Sequence, residues 1–405
     1  MLTFKYLARD PASGQKIKAE VEAESEQAAA KLLHQEGLAP LEITLKEGGD
    51  KRVGKFFNRI KAKDKILFSR QLSTLINAGL PLLQSLRSVA NQTTNKPLKV
   101  VISKVIADIE GGSAFSVALI RHPDVFNQVY ISLISAGEVS GTLDASLERL
   151  ANQQEKDAEI VSKVRGAMIY PIIVMLVMVA VVTFMLVTVL PQVEDLYSGL
   201  PGARLPFVTR LLLTVSHLVT GYWWVLLILV GLGTFFTSRW ARTLGGKSVI
   251  DKLKMRMWPV GPLFMKMYMA RFARTGTTLV ASGVPLIQMM EITAKAVNNV
   301  HVGRSLEKAI DKVRGGKALS DSLENDPNFL DLVPNMLRIG EQSGAIEDML
   351  DKTASYFEKE VDNQIKTIST IIEPVLMVVL GVVAIIIVAA ILLPIYGLVG
   401  QNVIQ

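Results

Sequence analysis

Cysteine is absent from all 405 residues, so the chain holds no disulfide, no thiolate nucleophile and no cysteine-based zinc site. Histidine occurs four times, as His34, His122, His217 and His301, in separate segments that match neither H-E-x-x-H nor any ligand spacing. No metal or cofactor is expected. A phosphate loop is lacking too: Gly245-Gly246-Lys247-Ser248 has Ala241 where a P-loop needs its first glycine, and it follows an apolar run instead of a strand. It reads as a juxtamembrane turn. Charged residues are scarce at 20%, and a net charge of +7 is modest for this length and names no nucleic-acid partner. Disorder is excluded, because a chain that is 50% apolar has ample surface to offset its ordering entropy.

The apolar residues concentrate in three uncharged stretches, each longer than the ~20 residues a helix needs to cross the hydrocarbon. They lie between Arg165 and Glu194, between Arg210 and Arg239, and after Glu373. This is the pattern of a three-span membrane protein, and MLTFKYLARD lacks the basic-then-apolar order of a secretory signal. Six basic residues, Arg239, Arg242, Lys247, Lys252, Lys254 and Arg256, follow the second run against the single acid Asp251. The segment between the first two runs instead balances Glu194 and Asp195 with Arg204 and Arg210. The positive-inside rule then places the N-terminus in the cytoplasm and the C-terminus outside. His217, within the second run, stands as a lone imidazole with a packing or interfacial role.

Slid by about two hundred residues, the chain matches itself. RQLSTLINAGLPL from Arg70 lies over RTGTTLVASGVPL from Arg274, and Gly111-Gly112 over Gly315-Gly316. After a one-residue slip, Gly137-Glu138-Val139-Ser140-Gly141 lies over Gly340-Glu341-Gln342-Ser343-Gly344, and Pro171 and Pro191 over Pro374 and Pro394. Each copy is a helical bundle followed by an exit helix, because apolar residues recur at three and four and strand signals are absent. The unpaired middle run must carry the chain back across the bilayer, which explains an odd number of spans. Gly79 with Pro81, and Gly283 with Pro285, break one helix and start the next; Pro171 and Pro374 set an entry angle or mild kink.

The fold class is therefore mainly α: two repeated helical-bundle domains, three transmembrane helices and a small N-terminal α/β module. The expected boundaries are 1–45 for that module, 46–63 for a basic linker, 64–165 for the first cytoplasmic bundle and 168–191 for the first span. An outer loop follows at 192–210, then the second span at 211–236, the second bundle at 237–370, the third span at 371–396 and an outer tail at 397–405. In the module, LTFKYLA and QKIKAEVEA alternate like strands, Ser25 opens a helix, and LAPLEITL returns as a strand. The linker is a solvated tether, or a segment drawn to anionic headgroups or an acidic partner.

Two sets of acids stand out as partner-contact candidates. Glu138 and Glu341 sit in the duplicated Gly-Glu-x-Ser-Gly motif, whose glycines Gly137, Gly141, Gly340 and Gly344 suit helix termination and close approach. Glu148, Glu155, Asp351 and Glu358 belong to an acidic run before the exit helices, which is either a solvated face supported by Lys156 and Lys359 or a docking surface for a basic partner. A divalent-ion site there is a third option. As catalysts the two motif glutamates lack any supporting nucleophile or base.

These duplicated motifs, the three spans and the FKYLARD…GLAPL module resemble the inner-membrane platform family of type IV pilus and type II secretion machines, the PilC/GspF family, over essentially the whole chain. The resemblance implies a non-enzymatic, multi-pass inner-membrane protein that forms homo-oligomers within membrane lipid. It further implies contacts with a cytoplasmic hexameric assembly ATPase, with pilins or pseudopilins and with membrane alignment proteins. Pilus assembly is the leading expectation and type II secretion the alternative. A transporter is disfavoured because all three apolar runs lack Asp, Glu, Lys and Arg; a signalling enzyme or receptor lacks a recognisable catalytic or ligand-binding module.

Overall fold

The computed structural model describes residues 2–9, 16–23, 26–35, 37–45, 60–198 and 207–402. Most of the linker and part of the expected outer loop lie outside them. The N-terminal module is an antiparallel sheet of β1 (Leu2–Arg9), β2 (Lys16–Ala23) and β3 (Ala39–Leu45), with β1 central, and α1 (Glu26–Gln35) between β2 and β3. Period-two alternation sends Tyr6 and Ala8 inward, where they pack with Leu33 of α1.

The first bundle comprises α2 (Ala62–Asn77), α3 (Leu82–Gln92), α4 (Lys96–Glu110), α5 (Phe115–Ile120) and α6 (Gln128–Ser140). It leads into α7 (Leu143–Phe184), a π-helical turn (Met185–Val189) and α8 (Leu190–Ser198). The second half runs α9 (Phe207–Gly221), α10 (Trp223–Trp240), α11 (Leu244–Arg256), α12 (Gly261–Ala281), α13 (Leu286–Ala296), α14 (Val300–Arg314), α15 (Leu319–Leu323), α16 (Leu332–Ser343) and α17 (Ile346–Asn402). Helices α12 to α17 repeat α2 to α7 one for one.

The repeat extends to individual contacts. Phe68 packs on Phe126 at 6.0 Å between ring centres, and Phe272 on Phe329 at 5.3 Å. Asn95 caps α4 by accepting from the Leu98 amide, and Asn299 caps α14 by accepting from His301 and Val302. One ion pair recurs with its charges exchanged: Arg87 meets Glu110 at 2.6 Å, while Glu291 and Arg314, at the corresponding positions, meet at 2.5 Å. Opposite charge is what both copies keep, whichever helix supplies it.

Three described helices are long and apolar enough to cross a membrane, within Leu143–Asp195, Trp223–Trp240 and Ile346–Leu392. The structure differs from the expected boundaries at residue 165, across the second apolar run, in the loop at 192–210 and in the tail at 397–405, where α17 runs on to Asn402. Helix α7 continues unbroken from bundle into span, about 63 Å at 1.5 Å per residue, so no joint exists near residue 165. Instead the chain divides into two compact units, 1–127 with 137–151 and 128–136 with 152–405. The later part of α7 joins the second unit because Ile160 and Val164 pack on a cluster of Leu263, Val361 and Ile368.

The expected second span, 211–236, is two helices with a break at Gly221–Tyr222. Glycine is a poor helix former, and the aromatic group Tyr222-Trp223-Trp224 that follows opens an 18-residue helix closed by Trp240. Such aromatics mark the two membrane–water interfaces. Helix α9 folds onto its neighbours: Leu213 joins Met185, Leu186, Leu190 and Ala390 in a buried cluster, and the Ser216 hydroxyl donates to the Leu186 carbonyl within the π turn. The expected loop at 192–210 is helical to Ser198 and again from Phe207.

Candidate functional site

The Gly-Glu-x-Ser-Gly motif ends α6 and α16. Gly141 and Gly344 take φ of +73° and +70°, a region that L side chains rarely adopt, and so stop these helices. Gly137 and Gly340 answer a different need, because the exit helix starts against them. A Cβ on Gly137 would lie 2.6 Å from Ser146 Oγ, and one on Gly340 2.9 Å from Ile346 Cα. The chain leaves the turn through Thr142 N–H to Gly137 O and Ala345 N–H to Gly340 O, both 2.9 Å.

The glutamates turn inward. Glu138 accepts from the amides of Phe115 at 2.6 Å and Ser116 at 2.9 Å. Glu341 accepts from Leu319 at 2.6 Å, from Ser320 N at 3.2 Å and from the Ser320 hydroxyl at 2.5 Å. Each carboxylate thus caps a helix of six or five residues, α5 or α15, from a neighbouring helix. The helix supplies no partner for its first amides, and a negative group there is favoured by the helix dipole. Local sequence could not reveal this, because the cap comes from residues 22 or 23 positions away. Both carboxylate oxygens of each glutamate are engaged, which makes these residues internal organisers of the bundle.

The acidic run is likewise more occupied than a solvated face. In the first unit, Asn77 Nδ2 donates to Glu148 at 3.3 Å. In the second, Arg274 of α12 reaches Glu358 at 2.8 and 3.0 Å and Asp351 at 2.6 Å. Lys266 donates to Glu360 at 2.8 Å, and Lys163 of α7 to Asp362 at 2.7 and 2.9 Å. Gln153 of α7 donates to Thr275 Oγ1 at 2.9 Å, and Asp157 faces Arg271 at 3.7 Å. These links clamp α7, α12 and α17 together. Glu155 lies half-buried on α7 within the same stretch.

The electrostatics follow from this packing. Asp157 keeps 42% of its side-chain surface, yet protein crowds it closely enough that desolvation outweighs Arg271 and raises its pKa. The hydrogen bond from Lys266 holds the Glu360 carboxyl below the usual range, and that from Lys163 does the same for Glu159. A cleft lined by Lys156, Asp157, Ile160, Arg271, Arg274 and Glu358 has room for no more than about one water molecule, so it is packing space and not a substrate pocket. Among the described residues, no group of three His, Cys, Asp or Glu is arranged to hold a metal ion.

The remaining sequence candidates fall where turns and spans need them. Gly79 and Gly283 adopt φ of +84° and +78°, and Pro81 and Pro285 precede α3 and α13. Pro171 is buried inside α7, whereas its twin Pro374 is exposed on α17. His217 is not alone: its Nε2 lies 3.0 Å from Glu194 Oε2 of α8.

The region after the second span, which has no twin in the repeat, holds what sequence reasoning missed. Asp251 of α11 is 97% buried, being only 3% exposed, and accepts from the Val300 amide at 3.0 Å at the start of α14. His301 Nε2 lies 2.9 Å from the Ser248 carbonyl, and Lys247 donates to Asn298 at 2.9 Å. Gly246 is required by close approach, since a Cβ would fall 2.0 Å from the Trp240 carbonyl oxygen. An acid among six bases was the available signal.

Comparison with known proteins agrees with this architecture. A family model described as type II secretion system (T2SS), protein F matches residues 68–191 and again 272–394. One described as type II secretion system protein F, N-terminal domain, matches residues 1–44. The two matches of the first model cover the two bundle-plus-exit-helix copies. The type IV pilus assembly protein PilC of Thermus thermophilus is 39% identical over 412 residues, covering 100% of both chains. That of Myxococcus xanthus is 38% identical over 96% of this chain and 93% of its own. The type II secretion system protein F of Pseudomonas aeruginosa is 34% identical over 98% of this chain and 99% of its own.

Proposed function

The chain belongs to the type II secretion system protein F family, and from that membership we propose that it is the non-catalytic inner-membrane platform of a type IV pilus assembly machine. The observation that carries the reading is the duplicated bundle with its continuous exit helix. A helix that runs unbroken from a bundle into the bilayer passes a displacement of the bundle to membrane depth without a joint to absorb it. The partners of the reading are a cytoplasmic assembly ATPase, which moves the bundles, and pilins, which leave the bilayer beside the spans; membrane alignment proteins hold the platform in place. The basic flank after α10 supports cytoplasmic bundles and an outer C-terminus.

The reading puts the ATPase contact on the acidic run, where Asp351 stays exposed beside Arg274, or on Glu138 and Glu341, which are half-buried and also serve inside the bundle. Deleting the gene tests the role: surface filaments are lost while the ATPase stays present and active, and normal filaments in the deletion strain overturn it. The same platform role in type II secretion is the second reading, kept because the chain is also 34% identical to the Pseudomonas aeruginosa protein F, against 39% and 38% for the two pilus assembly proteins. Loss of protein export with filaments intact selects it. Cross-linking in intact membranes identifies the trapped ATPase and pilin or pseudopilin.

A further inference from the structure

Helix α11 begins three residues after the second span ends at Trp240, so its position is tied to the membrane surface. Its inward side packs on the second bundle, where Asp251 caps α14 and Lys254 lies 5.9 Å from the Phe264 ring centre. The opposite side is exposed and divided. Val249 and Leu253, one turn apart, form an apolar strip, and Lys252 and Arg256 form a basic strip beside it. Leu244 at 82% exposure and Trp258 at 76% extend the apolar surface at the two ends of the helix.

Among the described residues Arg239, Arg242, Lys252 and Arg256 make no ion pair, while the segment's one acid is buried and committed to a helix cap. The exposed surface is therefore basic and apolar without an opposing charge. That combination suits the boundary between anionic headgroups and acyl chains, where a helix lies in the plane with its apolar side down and its cations among phosphates.

We propose that α11, with Trp258, is an interfacial anchor that binds the anionic lipid headgroups of the leaflet where the second span ends. It fixes the second bundle against the membrane surface through the Asp251 cap. Continuity with the span supplies the location, and charge complementarity the occupant. The inference rests on α10 crossing the bilayer, but not on which machine the platform serves.

The absence of native cysteine allows single-cysteine labelling of the full chain in nanodiscs. Nitroxides at Leu253→Cys, at Leu227→Cys inside α10 and at Lys317→Cys beyond α14 are compared for collision with oxygen and with a water-soluble nickel relaxant. In phosphatidylglycerol nanodiscs the Leu253 label is expected to lose nickel accessibility several-fold relative to Lys317. Combined Arg242→Gln, Lys252→Gln and Arg256→Gln should abolish that loss, and neutral phosphatidylcholine should weaken it. A Leu253 label as open to nickel as the Lys317 label, with Leu227 in lipid, overturns the anchor alone. Water access at Leu227 overturns the membrane reading of α10 and the anchor with it. Protection at Leu253 that ignores both lipid charge and the triple substitution overturns the headgroup assignment.

Discussion

Removing one carboxylate cap measures whether Glu341 organises the bundle or waits for a partner. In Glu341→Ala the amides of Leu319 and Ser320 lose their acceptor, and both residues are essentially buried, at 0% and 1% exposure. A buried donor left unpaired costs about 1–3 kcal/mol, and since Glu341 is only half-buried, water recovers part of it. A loss of about 2–4 kcal/mol for the pair is the working figure. Glu341→Gln keeps one acceptor oxygen and loses the charge, and should cost about half as much. Hydrogen exchange of the full chain in detergent, read on the peptide spanning α15, converts these values directly. At 1.4 kcal/mol per decade, exchange at Leu319 and Ser320 rises roughly 30- to 700-fold in the alanine variant and about 5- to 30-fold in the glutamine variant. Glu138→Ala does the same at Phe115 and Ser116, with α15 unchanged. Unaltered exchange in both alanine variants, together with lost partner binding, would refute the capping argument and restore the glutamates as contact residues.

Three further outcomes follow from the contacts. Gly246→Ala drives a Cβ to 2.0 Å from the Trp240 carbonyl oxygen, so the α10–α11 turn must open, at a cost of about 2–3 kcal/mol or more; thermal unfolding in detergent reads it, and an unchanged midpoint contradicts the close approach. Arg87→Glu and Glu110→Arg should each lower stability by about 0.5–1 kcal/mol, and the double variant should recover it, because the second copy already carries the exchanged pair; a double variant as weak as the sum of the singles is the contrary result. On acidification, Glu159 and Glu360, whose folded carboxyls are held below the ordinary range by Lys163 and Lys266, contribute stability above the unfolded glutamate pKa and lose it as pH falls through their folded values. Unfolding midpoints should therefore drop between about pH 5 and 3, less steeply in high salt because Glu159 is exposed and Glu360 only half-buried, so salt screens both pairs, and a rise over that window has the wrong sign.

The repeated part of the fold was legible because its signals are local. Turn glycines, the Gly-Leu-Pro and Gly-Val-Pro helix starts and three-four periodicity depend on a few neighbouring residues, and they appear twice. What links distant segments was not legible. Glu138 and Glu341 look like surface acids until α5 and α15 are seen to begin beneath them. The exchanged pair at 87/110 and 291/314 could have been found by asking the self-alignment for compensating charges instead of identities. Helix α11 offered no such route, having no twin, and the break at Gly221 was hidden because hydropathy counts apolar residues without weighing one glycine followed by aromatics.

Within the second unit the two exit helices are joined at two levels, and this bears on how a platform could move. Near the bundle, Lys163–Asp362 and the apolar cluster of Leu263, Val361 and Ile368 with Ile160 and Val164 hold α7 beside α17. Farther along, Met185, Leu186 and Leu190 meet Ala390, with Leu213 of α9 completing the contact. Val182 packs against this far cluster, and eighteen residues of α7 separate it from Val164, about 27 Å at 1.5 Å per residue, close to the thickness of the hydrocarbon. Two rods fixed to each other at two points this far apart cannot slide independently; a push on the bundle must tilt or turn them together. The π turn at Met185–Val189 lies inside the far contact, where Ser216 satisfies one of its carbonyls, so it is one point of give in the pair, beside the prolines Pro171 and Pro374 nearer the bundle. For the proposed role this means that motion received by the bundle reaches the far contact as a joint tilt or turn of both helices, with α9 carried along through Leu213.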